Sequence, residues 1–113
     1  MTIKITYFVH GTTTDNEKDL ASGWFDCKLS KLGIKQAKEL RKLISKKHFD
    51  VVFCSDLKRA ADSAKLGFNK YKIIKDKRLR ECNYGSFTQK PSKLFKDKMV
   101  DYINKPFPNG ESY

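Results

Sequence analysis

Three side chains of this 113-residue chain have the types and settings to move a phosphoryl group together: His10, Arg59 and Glu81. His10 ends the apolar run Tyr7-Phe8-Val9 and is followed by Gly11, Thr12, Thr13, Thr14, Asp15 and Asn16. A neutral imidazole at the mouth of a strand can attack phosphorus in line and hold the group until water arrives. An acceptor such as a backbone carbonyl must then hold the other ring N–H and fix the tautomer. Arg59 falls in the first turn of an expected helix, where a guanidinium and free backbone N–H groups can clamp one phosphate. Glu81 lies in Leu79-Arg80-Glu81-Cys82-Asn83-Tyr84-Gly85 and could supply the proton that a leaving alkoxide needs. Each residue also has a plainer reading: a strand-end histidine, an Arg paired with Asp62 or Asp56, a solvated Glu paired with a neighbouring Arg. His48, at the end of a helix, reads as structural.

Competing chemistry is poorly served. Cys54-Ser55-Asp56-Leu57-Lys58-Arg59 approaches the Cys-x5-Arg loop of cysteine phosphatases, but it has four intervening residues and no glycine to let amides close on phosphate. Two histidines and three scattered cysteines show no metal-ligand spacing.

The elements that must position these groups follow from pattern. Residues 2–9 alternate, with Ile3, Ile5, Tyr7 and Val9 on one face, and read as a strand buried on both sides near its end. Residues 11–28 read as a long functional loop with a short helical turn. Ser30 caps a helix running to about Lys47, with Leu32, Ala37, Leu40, Leu43 and Ile44 on one face and Lys31, Lys35, Lys38, Lys42 and Lys46 opposite. No aromatics interleave with those lysines, so they read as a solvated face, not a nucleic-acid rail. Residues 50–54 form a short strand, Ser55-Asp56 caps a helix from Leu57 to about Leu66, and Tyr71–Ile74 is a third strand. The order strand, helix, strand, helix, strand implies right-handed crossovers and a parallel sheet, with ligands at the carboxyl ends of the strands. Beyond residue 75 loops and one helix near 91–103 are expected.

Composition bounds the partners. The net charge is +11, from 24 basic and 13 acidic residues. All the basic residues except Arg41, Arg59, Arg78 and Arg80 are Lys, which picks out Arg59 and the Arg78–Arg80 pair as sites where a planar fork is required. The length suits one domain burying roughly 65% of its unfolded surface. Cys27, Cys54 and Cys82 form no disulfide framework, which favours a cytoplasmic setting. The N-terminal segment alternates instead of forming a signal-peptide core, and no run reaches membrane-spanning length.

Taken together these features resemble the histidine phosphatase superfamily, the phosphoglycerate mutase-like family, whose opening motif is Arg-His-Gly-x-Thr-x-x-Asn. The resemblance is carried by His10-Gly11-Thr12-Thr13-Thr14-Asp15-Asn16 and Ser22-Gly23-Trp24-Phe25-Asp26. It continues through Leu29-Ser30-Lys31-Leu32-Gly33 with Gln36-Ala37, Ser55-Asp56-Leu57-Lys58-Arg59-Ala60, the Glu81 block, and Asn109-Gly110-Glu111-Ser112. It implies a three-layer α/β/α fold with a mainly parallel sheet, incomplete in this chain, with residues 1–113 as a single domain forming the N-terminal portion. It implies His10 as the phosphorylated residue, Glu81 as proton donor, Arg59 and Asn16 on the phosphate, and Thr12, Ser22, Gly23 and Tyr84 on the substrate, with no cofactor and no metal.

The expected activity is a phosphomonoester hydrolase working through phosphohistidine on a small phosphorylated metabolite. Mutase-type phosphotransfer and a non-catalytic, phospho-ligand or partner-binding relative are the alternatives. The short stretch from Glu81 to Gly110, and Cys82 where the mutases carry Arg, favour a phosphatase; Ser22-Gly23-Trp24 is mutase-like. A small phosphorylated substrate is the expected partner, with neither nucleic acid nor membrane, and a homodimer is left open.

Two family features are absent. Val9 stands where the family has Arg, and the family's later His-Gly block lies beyond Tyr113. Electrostatic donors of that kind are worth about 3–4 kcal/mol each in the transition state, so their loss implies impaired activity.

Overall fold

A computed structural model describes all residues, 1–113. Its regular elements are α1 (Thr14–Glu17), α2 (Lys31–Leu43), β1 (Val52–Cys54), α3 (Lys58–Gly67) and β2 (Ile73–Lys75). Short 3-10 turns follow at Lys77–Leu79, Gly85–Phe87, Ser92–Leu94 and Lys96–Tyr102. β1 and β2 pair in parallel, Val52 opposite Ile73 and Cys54 opposite Lys75, across the α3 crossover. The class is therefore α/β with a small parallel sheet. Val52 and Cys54 face the core, whereas Phe53 and Ile74 are exposed, so one face of the sheet is open. No helix is long and apolar enough to cross a membrane.

The anticipated first strand is the main departure. Residues 2–9 take part in no backbone–backbone hydrogen bond, and Ile3, Ile5, Tyr7 and Val9 are 73–87% exposed. Alternation fixes which side chains share a face, but a strand exists only where a neighbour accepts its hydrogen bonds, and β1 is paired to β2 alone. This arm helps explain a radius of gyration of 15.4 Å, against about 13 Å for a compact chain of this length. Only Phe8 is anchored, edge-on to Phe49 and Phe68 at 5.9 and 5.3 Å between ring centroids.

Two small apolar cores result. One gathers Ile44, Val52 and Phe68, with Phe8, Leu40, Phe49, Tyr71 and Ile73 against them. The other gathers Ala21, Tyr84, Phe95 and Phe107, with Tyr102 stacked on Phe107 at 3.9 Å. The expected helix near 91–103 is two 3-10 segments instead.

Helix α2 begins as expected, with the Ser30 hydroxyl accepting the Gly33 N–H. It buries a narrower stripe than its pattern suggests: Ala37 and Ile44 are buried, but Leu32 and Leu43 are exposed. The stripe is narrow because α2 packs chiefly on α3. Its first turn also lies hard against the segment after His10. A Cβ on Gly33 would fall inside the van der Waals envelope of the Thr12 carbonyl, and one on Gly11 would meet the Gly33 carbonyl.

Because those atoms belong to backbone and cannot swing aside, Gly33→Ala is expected to destabilise the fold by about 3 kcal/mol, the upper range for overpacking. Urea denaturation of the two proteins measures it; a change within about 0.5 kcal/mol, the scatter of neutral surface changes, would contradict this packing.

Candidate active site

The chain segment carrying His10 is tied to the helix carrying Arg59. The Gly11 N–H donates to Ser63 Oγ at 3.0 Å, and the Ser63 hydroxyl donates to the Arg59 carbonyl at 2.7 Å. Ser63 is one turn beyond Arg59 in α3, so the backbone just after His10 lies against the helical turn that carries Arg59. His10 is half-buried, and its Nδ1 lies 2.7 Å from the Gly11 carbonyl oxygen. A carbonyl can only accept, so this contact makes Nδ1 the protonated nitrogen and leaves the lone pair on Nε2.

Arg59 is 3% exposed. Its Nη1 donates to the Phe25 carbonyl at 3.1 Å, and its Nη2 donates to the Gly23 carbonyl at 2.7 Å and to Glu81 Oε2 at 3.0 Å. Gly23 presents that carbonyl from a left-handed turn, φ +52°, where a Cβ would also come within 3.0 Å of the Tyr84 ring. The free helix-terminal amides anticipated around Arg59 are partly used. Ser55-Asp56 does not cap α3; its N-cap is Leu57, without a side-chain bond. Asp26, thirty-two residues upstream, accepts the Lys58 N–H at 2.6 Å instead. Asp56 is drawn away by Arg80, which grips it with two bonds of 2.6 Å.

Glu81 is held at both oxygens. Tyr84 donates its hydroxyl to Oε1 at 2.7 Å while Arg59 takes Oε2. The Trp24 indole N–H donates to the Glu81 carbonyl at 2.9 Å, and the Arg80 guanidinium lies over the Trp24 ring, 4.9 Å from its centroid. Burial foremost, then the Tyr113 and Glu81 hydrogen bonds, pushes the Tyr84 phenol far above its usual range, so it stays neutral and keeps the proton it donates to Glu81. Upstream, the Asp76 carboxylate caps the 3-10 turn Lys77–Leu79 and holds Arg78. The Arg78 hydrogen bonds lower its titration to about 2.

The remaining residues singled out in the sequence are mostly busy with protein partners. Asn16 completes a capping box with Thr13, its Oδ1 accepting the Thr13 N–H, which leaves its amide NH2 group for a ligand. The Thr12 hydroxyl donates to Gln36 Oε1 at 2.9 Å. Ser22 is buried and donates to Asp15 Oδ2, which also accepts from Gln89. Tyr84 is buried beneath Glu81 and does not lie open to solvent. Sequence reading missed Ser63, Asp26, Gln36 and Gln89, each a polar group reaching a partner more than twenty residues away. A 600 Å³ depression beside Glu81 is lined by Arg80, Cys82, Glu111, Ser112 and Tyr113. Burial foremost, then the nearby Glu111 and Glu81 carboxylates, raises the Cys82 thiol, which stays protonated there. No three His, Cys, Asp or Glu side chains converge as a metal site.

These elements define a class. The histidine phosphatase superfamily (branch 1) model matches residues 7–113, and the chain belongs to that family. Among solved structures it resembles the α-ribazole phosphatase of Shigella flexneri, with TM-score 0.76 and 27% identity over 91% of this chain and 56% of that one. It also resembles the phosphoglycerate mutase of Bacillus anthracis, with TM-score 0.70 and 33% identity over 85% of this chain and 43% of the other. A 2,3-bisphosphoglycerate-dependent phosphoglycerate mutase of Lactococcus lactis is 36% identical over 92 residues, 75% of this chain and 40% of that protein. The chain thus spans less than half the length of that curated relative and little more than half of the phosphatase.

Removing the guanidinium would strip two main-chain carbonyls and Glu81 of their donor. Arg59→Ala should cost about 3 kcal/mol, the lower part of the range for a broken buried pair because Glu81 regains water, measured by urea midpoint. The Asp76 contribution has a defined pH window. Its native carboxyl titrates below the ordinary 3.8, so the unfolded chain takes up protons first. Stability from this group is complete above about pH 4 and drains away as pH falls toward 2. Asp76→Asn should remove that part of the acid dependence of the urea midpoint.

Proposed function

We infer that the chain carries the nucleophile and acid of a phosphomonoester hydrolase acting through phosphohistidine on a small phosphorylated metabolite. The observation that carries this reading is the Nδ1 contact of His10 with the Gly11 carbonyl, which leaves Nε2 as the nucleophilic nitrogen on the segment tethered to the Arg59 helix. Nε2 attacks phosphorus; the P–O ester bond breaks as the P–N bond forms, and the departing oxygen takes a proton from the Glu81 carboxyl. Water then attacks the phosphoryl group, Glu81 accepts the water proton, and cleavage of the P–N bond releases inorganic phosphate and regenerates His10. Arg59 and the Asn16 amide neutralise charge on the equatorial oxygens. Thr12 and Gly23 line the approach, and Ser22 and Tyr84 support its walls. A homodimer and a cytoplasmic setting remain compatible with this reading.

Phosphotransfer of the mutase kind is the second reading, favoured by the identity to the two mutases. Against it, Cys82 gives the depression beside Glu81 a neutral thiol, and Arg80, the cation in its lining, is already paired with Asp56.

Incubation with a 32P-labelled phosphomonoester, followed by rapid denaturation, should leave an acid-labile, alkali-stable phosphate on the wild-type chain and none on His10→Ala. Label that persists in His10→Ala, or a chain that never labels, sinks the catalytic reading. Release of inorganic phosphate, as against a phosphorylated second substrate, decides between hydrolysis and transfer.

A further inference from the structure

Glu81 occupies the cation that a phosphoryl oxygen would need. Arg59 is buried, and apart from backbone carbonyls its sole partner is the Glu81 carboxylate. The Nε–H, on the same edge of the guanidinium as one of the Nη2 hydrogens, has no protein acceptor, so an edge that can hold two oxygens of one oxyanion is at most half filled. Exposure at this contact is one-sided: the Glu81 side chain is 43% exposed, against 3% for Arg59. Glu81 can withdraw; Arg59, fixed by Gly23 and Phe25, cannot. A carboxylate bound to a guanidinium is also in the wrong state to donate a proton.

Resting on the phosphatase reading, we propose that an incoming phosphoryl dianion displaces Glu81 from Arg59 and thereby loads the acid, with Tyr84 as the positioning residue that keeps it in place. The dianion takes Nε–H and Nη2–H. Glu81 loses its cation, gains a neighbouring anion, and takes one proton from solvent. Tyr84 continues to donate to Oε1, so the proton goes to Oε2, the oxygen that Arg59 released. The other groups around Glu81 do not compete for that proton. The Arg80 cation is engaged by Asp56, the Cys82 thiol and Tyr84 phenol are held neutral, the Tyr113 hydroxyl donates to Tyr84, and the Glu111 carboxylate accepts the Asn83 N–H. Binding and protonation become one event, and the unliganded site holds its acid unloaded.

Sulfate tests this, because it remains a dianion across the working range and any proton taken up belongs to the protein. Calorimetry in buffers of different ionisation enthalpy, between about pH 5 and 7 where an exposed carboxyl is mostly ionised, should show about one proton absorbed per sulfate bound. In a His10→Ala background, which removes the imidazole that could also take a proton beside a bound anion, Glu81→Gln should abolish the uptake and bind sulfate about tenfold more tightly, its competitor having lost its charge. Tyr84→Phe, which keeps the ring in the core, should move the midpoint of proton uptake to higher pH, because the ionised carboxylate loses a donor. A purely structural tyrosine would leave that midpoint alone. Sulfate bound by wild type without proton uptake, or with the same uptake in Glu81→Gln on that His10→Ala background, overturns the displacement while the phosphatase reading stands. Failure of both proteins to bind sulfate overturns both.

Discussion

One guanidinium organises this molecule. Arg59 projects from a helix packed into the first core and ends among groups that belong to the second: the Gly23 turn and the Glu81 carboxylate, itself resting on buried Tyr84. A buried cation is tolerable only when it is compensated, and here two main-chain carbonyls and one carboxylate engage Nη1 and Nη2 and leave Nε–H open. The constraint propagates outward. Gly23 must adopt a left-handed turn to present its carbonyl, the loop must carry Asp26 on to the start of α3, and Ser63, one turn along, is placed to hold Gly11.

This arrangement gives the carboxylate two tasks that compete. With Arg59 satisfied, Glu81 completes the fold; in the proposed reaction it must leave that cation to take part in proton transfer. Families that handle phosphate meet the same conflict, since whatever balances a buried cation in the absence of ligand must give way when ligand arrives. In the displacement we propose, a partly exposed carboxylate leashed by one phenol resolves it with a movement of a single side chain.

Much of the local structure was legible in the sequence. Ser30 and the Ala37/Ile44 stripe announced α2, and the apolar run to Cys54 announced β1. The turn-rich stretch after Gly11 did contain its short helix, α1. The family blocks named His10, Arg59 and Glu81, and the family itself was identified correctly. The failures are non-local. Alternation in residues 2–9 specified faces but could not supply a pairing neighbour. Asp56 looked like a cap because it precedes a helix, yet Arg80, twenty-four residues on, offers a bidentate partner worth more than an N-cap bond. Thr12 and Ser22 looked available because hydroxyls advertise binding, while their acceptors, Gln36 and Asp15, lie on elements whose approach no pattern encodes.

The sole tryptophan has a practical consequence. Its indole N–H is fastened to the main chain at the acid residue, and a guanidinium lies against its ring. An excited indole responds strongly to both a hydrogen-bond acceptor and an adjacent positive charge. The chain therefore carries its own optical reporter, one that watches the acid's backbone without any label and against no competing indole signal.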